Sequence, residues 1–233
     1  MKCLARKIRS AGRLRRGQPV ARPARPARCA AAVSILIALL FGITLLGPAK
    51  GAFAGNQKEE ALADAVRVAL ARAITDARPP RPRFGDIRQR IQYLYWLGEM
   101  SERLKKTLPD VQVRTEFLKT AWYEARRAGL DPGMVLGLIQ VESAFRKYAL
   151  SPAGARGLMQ VMPFWTRVIG DGEPRKLFHM QSNLRYGCAI LRMYLDMEHG
   201  DLFLALGRYN GSRGRMEYPN AVFHAWKNWE YTS

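Results

Sequence analysis

GLDPGMVLGLIQVESAFRKYALSPAGARGLMQVMP, residues 129–163, contains a helix boundary, an apolar helix and a loop of small residues. Gly129 favours the positive φ that ends many helices, and Asp131 and Pro132 are typical of a helix N-cap and first turn. The helix that follows is apolar on nearly all sides, which predicts that it is buried. It ends at Glu142, a carboxylate where the helix dipole and apolar burial both disfavour negative charge.

Glu142 is the first candidate for a functional residue in this chain. Burial and the negative end of the helix dipole both raise the pKa of a carboxyl group, as a general acid that works near neutral pH requires. The position of Glu142 also fits an ordinary alternative, a half-exposed glutamate that simply ends a helix. Carboxyl groups with a shifted pKa are more frequent at functional sites, but a shifted pKa alone does not identify such a site. The residues that follow favour the functional interpretation.

Two short segments after the helix combine loop-forming and apolar residues. Residues 151–157, SPAGARG, are small and turn-forming, with glycines where a backbone can approach a ligand closely. Residues 158–163, LMQVMP, then place the amide of Gln160 among apolar side chains. Each segment is a weak signal on its own, and their order and spacing after Glu142 give them weight.

The combination of ESAF at residues 142–145 and SPxGxxGLMQxMP at residues 151–163 closely resembles the catalytic domain of the soluble lytic transglycosylases. The resemblance covers residues 115–228 and is completed by a Tyr-Asn pair at 209–210. It implies a goose-lysozyme-like helical fold with Glu142 as the catalytic residue. It also implies a set of substrate-binding residues: Ser143, Ser151, Gly157, Gln160, Met162, Tyr209 and Asn210.

The surroundings of Tyr209 depart from the pattern of that family. Small residues usually precede this tyrosine and Ala-Gly follows the asparagine, whereas here Arg208 precedes it and Gly211-Ser212 follow. Because the Tyr-Asn pair itself remains, we expect Arg208 and Arg213 to alter contacts with charged stem peptides rather than catalysis. The resemblance implies that the Tyr209 hydroxyl faces Glu142 across the groove.

The implied reaction is cleavage of the β-1,4 bond between N-acetylmuramic acid and N-acetylglucosamine in peptidoglycan. A neutral Glu142 would protonate the leaving oxygen, and the substrate's N-acetyl carbonyl would stabilise the cationic sugar. The resulting carboxylate would then take the proton of the muramyl C6 hydroxyl, which closes on C1. The product carries a 1,6-anhydromuramyl end, and no water is consumed.

Two alternatives belong to other classes of protein. A hydrolytic muramidase would need a second carboxylate to activate water, for which Asp171, Glu173 and Glu217 are the loop candidates. A non-catalytic wall-binding scaffold protein would not depend on Glu142. In each case the expected partner is the glycan strand of peptidoglycan, together with a cell-envelope machinery if the enzyme serves one.

No metal or cofactor is implied by the sequence. The three histidines, His179, His199 and His224, are scattered, and no His, Cys and Asp cluster has metal-ligand spacing. Cys188 lies in an apolar helical pattern and is interpreted as buried packing rather than as a nucleophile.

The N-terminal segment carries most of the charge. Residues 1–54 contain eleven Lys or Arg and no acidic residue, so the formal net charge of +19 falls to +8 without them. An apolar run at residues 30–46 followed by Ala52-Phe53-Ala54 predicts a secretory signal cleaved after Ala54, and therefore a periplasmic or secreted protein.

The alternative to cleavage is an inner-membrane anchor that leaves the protein facing the periplasm, because 17 apolar residues reach the lower limit for spanning a bilayer. The membrane is then a partner only through an uncleaved N-terminal segment. The basic arm is interpreted as a signal for orientation, so no nucleic-acid partner is predicted.

The remaining chain is predicted to be all-α, with a helical N-terminal extension at residues 55–108 and a catalytic domain at residues 109–233. An apolar residue at every fourth position from Leu62 to Ile74 predicts a first helix over residues 56–78. Ser182 is expected to cap the long helix that carries Cys188.

Overall fold

The computed structural model describes residues 57–76 and 81–231, and in these ranges it is helical. No strand occurs among the described residues, where β-type pairing is limited to isolated bridges from Arg156 to Leu150 and to Val161. The predicted all-α class is confirmed. The helices are α1 Asp64–Thr75, α2 Ile87–Leu104, α3 Val111–Arg127, α4 Pro132–Ser143, α5 Phe164–Ile169, α6 Met180–Met197, α7 Leu202–Asn210 and α8 Glu217–Trp226, with 3₁₀ turns at Pro174–Phe178 and Lys227–Trp229.

Aspartate side chains fix the starts of four of these helices. Each accepts a hydrogen bond from the backbone N–H three residues later, which satisfies one of the donors that a helix leaves free at its N-terminus. The four pairs are Asp86 with Gln89, Asp110 with Val113, Asp131 with Met134 and Asp201 with Leu204.

Helix α4 lies at the centre of the fold and is buried over most of its length, as predicted. Its first half packs so closely on α8 and the following 3₁₀ turn that two positions have no room for a side chain. A Cβ at Gly133 would lie 2.6 Å from the carbonyl oxygen of Trp229, and one at Gly137 would lie 2.7 Å from the backbone nitrogen of Trp226. This backbone contact sets the position of α8 relative to the end of α4.

The helices before residue 109 share the apolar core of the later ones. Leu70 of α1 and four buried residues of α2 belong to the same cluster as the α4 side chains. Cys188 is buried in this core, as predicted. The division of the chain at residue 108 stays a prediction.

The predicted first helix is wrong at its start. Residues 57–63 have no regular secondary structure, and α1 begins only at Asp64. The physical reason is tertiary, since Gln57 and Glu60 are held by side chains of the helical body. Residues 77 and 78, at the predicted end of that helix, lie outside the described ranges.

Helix α6 also starts earlier than predicted, at Met180 with His179 in the N-cap position. Ser182 therefore lies inside the first turn and does not cap it. The 3₁₀ turn Pro174–Phe178 leads directly into α6, which moves the helix start towards the N-terminus.

Across residues 57–76 and 81–231, we find no helix both long and apolar enough to cross a membrane. The predicted signal or anchor at residues 1–54 lies outside these ranges.

Candidate active site

The carboxyl group of Glu142 is buried near the end of α4, with only 3% of the residue exposed. The two residues after the helix, Ala144 and Phe145, have φ of 48° and 63°, so the chain leaves the helix in a sharp left-handed turn. Oε1 accepts a hydrogen bond of 2.6 Å from the Tyr218 hydroxyl. Oε2 is closed to solvent and has no hydrogen-bonding partner among the described residues.

These surroundings change the titration of Glu142. Burial raises its pKa to about 8, against a smaller lowering by the hydrogen bond from Tyr218. The group is therefore a neutral carboxylic acid at pH 7. This is the protonation state that a general acid needs. The sequence correctly predicted that the pKa of Glu142 is raised.

Tyr218 is a residue that the sequence analysis missed. It is fully buried in the first turn of α8, and burial is the main cause that raises its own pKa well above the ordinary value. Glu217-Tyr218-Pro219 has the appearance of an ordinary helix start. The contact with Glu142 arises from the close packing of α4 on α8, so no local pattern could have identified it.

Tyr209 is fully buried on α7, and its hydroxyl donates to the carbonyl oxygen of Met159 at 2.7 Å. Burial raises the pKa of this phenol well above its ordinary value, and the proximity of Glu142 raises it further. The Tyr209 side chain thus lies near Glu142, but Tyr218 makes the direct hydrogen bond. That Tyr209 lines a sugar groove stays a prediction.

Residues predicted to bind substrate also stabilise the loop at residues 151–160 through hydrogen bonds within it. Ser151 Oγ accepts from the backbone N–H of Ala155 at 3.0 Å, and the Gln160 amide donates to the carbonyl of Gly157 at 2.9 Å. Gly157 has φ of 76°, and a Cβ there would lie 2.4 Å from the Asn183 amide nitrogen. Only glycine therefore fits this position.

Asn183, the second residue that sequence reasoning missed, fastens the same loop to α6. Its Oδ1 accepts from Met159 N, and its Nδ2 donates to the carbonyls of Arg156 and Leu177, all at 2.8 Å. Its fully buried amide thus provides hydrogen bonds to three backbone groups that lie outside the α-helices. A lone asparagine in a helical pattern carries no signal of this role.

The other predicted site residues occupy different depths. Ser143 follows Glu142 and is buried, with its hydroxyl donating to Ile139 at 3.2 Å. Met162 is half-buried beyond the loop, and Asn210 is the buried last residue of α7. Their roles in substrate binding stay predictions.

The two arginines beside the Tyr-Asn pair bind within the protein. Arg208 and Arg213 both pair with Glu198, the latter at 2.7 Å and 2.8 Å, and together they lower the pKa of Glu198 to about 2. Arg208 also contacts Glu60 at 3.1 Å. These ion pairs compete with the contacts to stem peptides that we expected of both residues.

Among the described residues, no second carboxylate contributes to the pKa shift of Glu142. Burial and Tyr218 account for the shift in its pKa, and no other acidic group contributes. Asp171, one of the three loop candidates, is held by Lys176, which lowers the pKa of Asp171. In the described part of the chain, Tyr218 is the hydrogen-bonding partner of the Glu142 carboxyl group, and no acidic residue bonds to it.

Comparison with known proteins shows which family this part of the chain resembles. Residues 120–231 match the family model of the transglycosylase SLT domain. This part of the chain is similar to the transglycosylase SLT family. The SLT domain includes α4 to α8 and every predicted site residue, and the helical, lysozyme-like class predicted for it is confirmed. Helices α1 and α2 lie outside the matched residues.

Relatives of the SLT domain include proteins named membrane-bound lytic murein transglycosylase C. The protein of Histophilus somni strain 2336 is 41% identical over 115 residues, which are 43% of this chain and 31% of the relative. That of Haemophilus influenzae strain PittEE is 33% identical over 120 residues, 45% of this chain and 34% of the relative. The chain therefore spans about a third of the length of these relatives.

Proposed function

We propose that this protein is a peptidoglycan lytic transglycosylase that cleaves the β-1,4 bond between N-acetylmuramic acid and N-acetylglucosamine. One observation carries the proposal: the buried carboxyl group of Glu142 is neutral at pH 7, with one oxygen bound by Tyr218 and the other without a hydrogen-bonding partner among the described residues. Similarity to the SLT domain supports the substrate class, because relatives of that domain are named murein transglycosylases.

The first step uses Glu142 as an acid. A neutral carboxyl group accepts hydrogen bonds best at its carbonyl oxygen, so the Tyr218 hydroxyl marks Oε1 as that oxygen and leaves the proton on Oε2. Oε2 has no competing partner, and its proton is available to the oxygen of the leaving N-acetylglucosamine. As the glycosidic bond breaks, positive charge develops at C1 of the muramyl sugar.

The second step uses the same group as a base. Glu142 is now a carboxylate, and the hydrogen bond from Tyr218 stabilises this charged form. The carboxylate takes the proton of the C6 hydroxyl of the muramyl sugar while that oxygen bonds to C1. The proton that left Glu142 is thereby restored, and the product is a 1,6-anhydromuramyl end.

Two features favour this internal attack over hydrolysis. The nucleophile belongs to the bound sugar, so its effective molarity exceeds that of an external molecule. No second carboxylate contributes to the surroundings of Glu142, whereas an inverting glycosidase needs one to activate water. We place the reaction in the periplasm, on the wall side of the inner membrane, with residues 1–54 serving as a signal or an anchor.

The test removes the acid without changing its shape. Glu142→Gln should abolish the release of soluble fragments from purified murein, because an amide cannot transfer a proton, while the circular dichroism spectrum stays that of the wild type. The exposed Glu116→Gln on α3 is the matched control and should retain full activity. Retained turnover in Glu142→Gln would contradict the assignment and point to another acid.

A further inference from the structure

Residues 57–63, which we call the strap, run without regular secondary structure from the first described residue to the start of α1. They lie outside the SLT domain but are bound to it. Glu60 pairs with Arg208 of α7 at 3.1 Å, and Glu59 approaches Arg167 of α5 at 3.9 Å. The strap therefore lies against the same two helices that carry Tyr209 and Trp165.

Gln57 is the buried end of the strap, with only 4% of the residue exposed. Its Oε1 accepts a hydrogen bond of 2.8 Å from the indole Nε1 of Trp165 and a weak one of 3.5 Å from the backbone N–H of Met162. Because an indole N–H can only donate, the atom that faces it must be the amide oxygen. The Nε2 of Gln57 consequently points elsewhere, and it has no full hydrogen bond among the described residues.

The Gln57 carboxamide lies next to two predicted site residues, Tyr209 and Met162. It interacts with the Tyr209 phenol, whose pKa it lowers slightly against the larger effect of burial. Met162, which also contacts it, belongs to the residues expected to line the sugar groove. One side chain from outside the SLT domain thus reaches two residues of the proposed groove.

The chemistry of Gln57 is close to that of the substrate. Its side chain ends in a carboxamide, and each sugar of the glycan strand carries an acetamido group with the same carbonyl acceptor and N–H donor. The donors of Trp165 and Met162 that bind Gln57 Oε1 could bind an acetamido carbonyl in the same way. Gln57 satisfies the two donors with its carbonyl oxygen but leaves its own Nε2 poorly paired. We expect this of a side chain that imitates the acetamido group, whereas the substrate would satisfy both of its polar atoms.

Two atoms of this region are closed to solvent in the structure. Glu142 Oε2 and Gln57 Nε2 are both inaccessible to solvent, so a glycan cannot reach either atom without displacing part of the protein. The ion pairs of Glu59 and Glu60 involve partly exposed side chains, and such pairs contribute little stability in water. These ion pairs therefore add little to the cost of releasing the strap, and the larger part of that cost is the buried hydrogen bond between Gln57 and Trp165.

We propose that the strap is an autoinhibitory self-ligand, in which the Gln57 carboxamide occupies the position of a substrate acetamido group and a glycan strand must displace it to reach Glu142. The identity of the displacing ligand rests on the proposed function. A different role for Gln57, in which its amide N–H helps to bind the substrate, makes the opposite prediction about its removal.

The first experiment measures binding apart from catalysis. Full-length Glu142→Gln protein is titrated with the linear tetramer of N-acetylglucosamine by calorimetry, with and without the added change Gln57→Ala. If the open state is populated about one time in ten, removing Gln57 should tighten binding roughly tenfold. Lys58→Ala, an exposed neighbour on the strap, is the matched control and should leave the affinity unchanged.

Weaker binding after Gln57→Ala would overturn the proposal and make Gln57 a substrate-binding residue. Unchanged affinity, or no detectable binding by any of the proteins, would also overturn it, because a released groove should bind the tetramer more tightly. Glu60→Gln, which removes the ion pair to Arg208, provides a second route to release and should tighten binding in the same direction.

The second experiment separates this proposal from the proposed function. Initial rates on dilute murein should rise in Gln57→Ala relative to the wild type, if the enzyme is a transglycosylase. Tighter binding of the tetramer together with no cleavage by either protein would leave the strap as described and contradict the transglycosylase activity. Cleavage that slows in Gln57→Ala would contradict the strap alone.

Discussion

At the scale of single residues, Glu142 and Tyr218 determine the chemistry together. Burial of Glu142 favours its neutral form, and the hydrogen bond from Tyr218 favours the charged form, with burial the larger effect. A group that must first give up a proton and then take one needs both influences. Burial alone would make the acid too weak to give up its proton, and the hydrogen bond alone would make the carboxylate too weak a base to take one. The neutral form is the resting state at pH 7.

The raised pKa of Glu142 predicts a pH-dependent stability. The folded protein holds this proton up to about pH 8, whereas the unfolded chain loses it near the ordinary glutamate pKa of 4.5. Between these values the folded state binds the extra proton, so the contribution of Glu142 to the free energy of unfolding falls by about 1.4 kcal/mol per pH unit as pH rises. Urea unfolding at several pH values should show this slope in the wild type.

Glu142→Gln should remove that contribution, so the variant should gain stability relative to the wild type as pH rises from 5 to 8. Parallel stability curves for the two proteins would mean that Glu142 titrates in its ordinary range, and the general-acid assignment would lose its basis.

Tyr218→Phe should lower the rate and shift the pH profile. Without the hydrogen bond, the pKa of Glu142 rises further, since that bond is the influence that lowers it. The carboxylate of the second step is then less stable, and the alkaline limb of the activity profile should move to higher pH. Tyr148→Phe, at a site 72% exposed, is the control and should change neither. An unshifted profile would show that Tyr218 serves packing alone.

At the scale of elements, the sequence predicted what local chemistry decides. Asp131 caps the helix expected from its position, and Asp86, Asp110 and Asp201 cap their helices by the same contact. The first helix was placed too early because residues 57–63 also suit a helix, and only their contacts with α5 and α7 hold them extended. Local propensity is too weak to resist such contacts.

The contact between α4 and α8 yields a prediction about Gly137. A methyl group there would meet the backbone of Trp226 at 2.7 Å and force α8 away from α4. Gly137→Ala should therefore destabilise the protein by about 1–3 kcal/mol and lower activity, because Tyr218 moves with α8. Denaturant unfolding and murein digestion measure the two effects.

Gly98→Ala is the matched control for this substitution. Gly98 lies in α2 with nothing within 4 Å of an added Cβ, so the change should stabilise the helix by about 0.5–1 kcal/mol. If Gly137→Ala behaved in the same way, the close packing of α4 on α8 would not be what positions Tyr218.

At the scale of the whole molecule, the site depends on residues far apart in the chain. Tyr218 and Glu142 are separated by 76 positions, and Asn183 fastens a loop that begins at Ser151. Motif spacing could identify Glu142 and its loop, since the family pattern is local. It could not identify Tyr218 or Asn183, because only the packing of the helices brings them to the site.

A buried ion pair links α3 to α6, two helices that pack against the same core. Glu124 and Arg185 lie 2.9 Å apart, with side chains 2% and 7% exposed. Glu124→Ala would leave a buried guanidinium short of its charge partner, so we expect a loss of about 3–5 kcal/mol in the free energy of unfolding. Glu116→Ala on the exposed face of α3 should change it by less than about 0.5 kcal/mol. Equal effects of the two changes would contradict a structural role for the pair.

The most direct measurement of the central claim is mass spectrometry of the soluble products that the purified protein releases from murein. We expect muropeptides lighter than hydrolysis products by one water, with 1,6-anhydromuramyl ends and no reducing ends. Products with free reducing ends would contradict the account, because they would show that water, and not the C6 hydroxyl of the substrate, attacks C1.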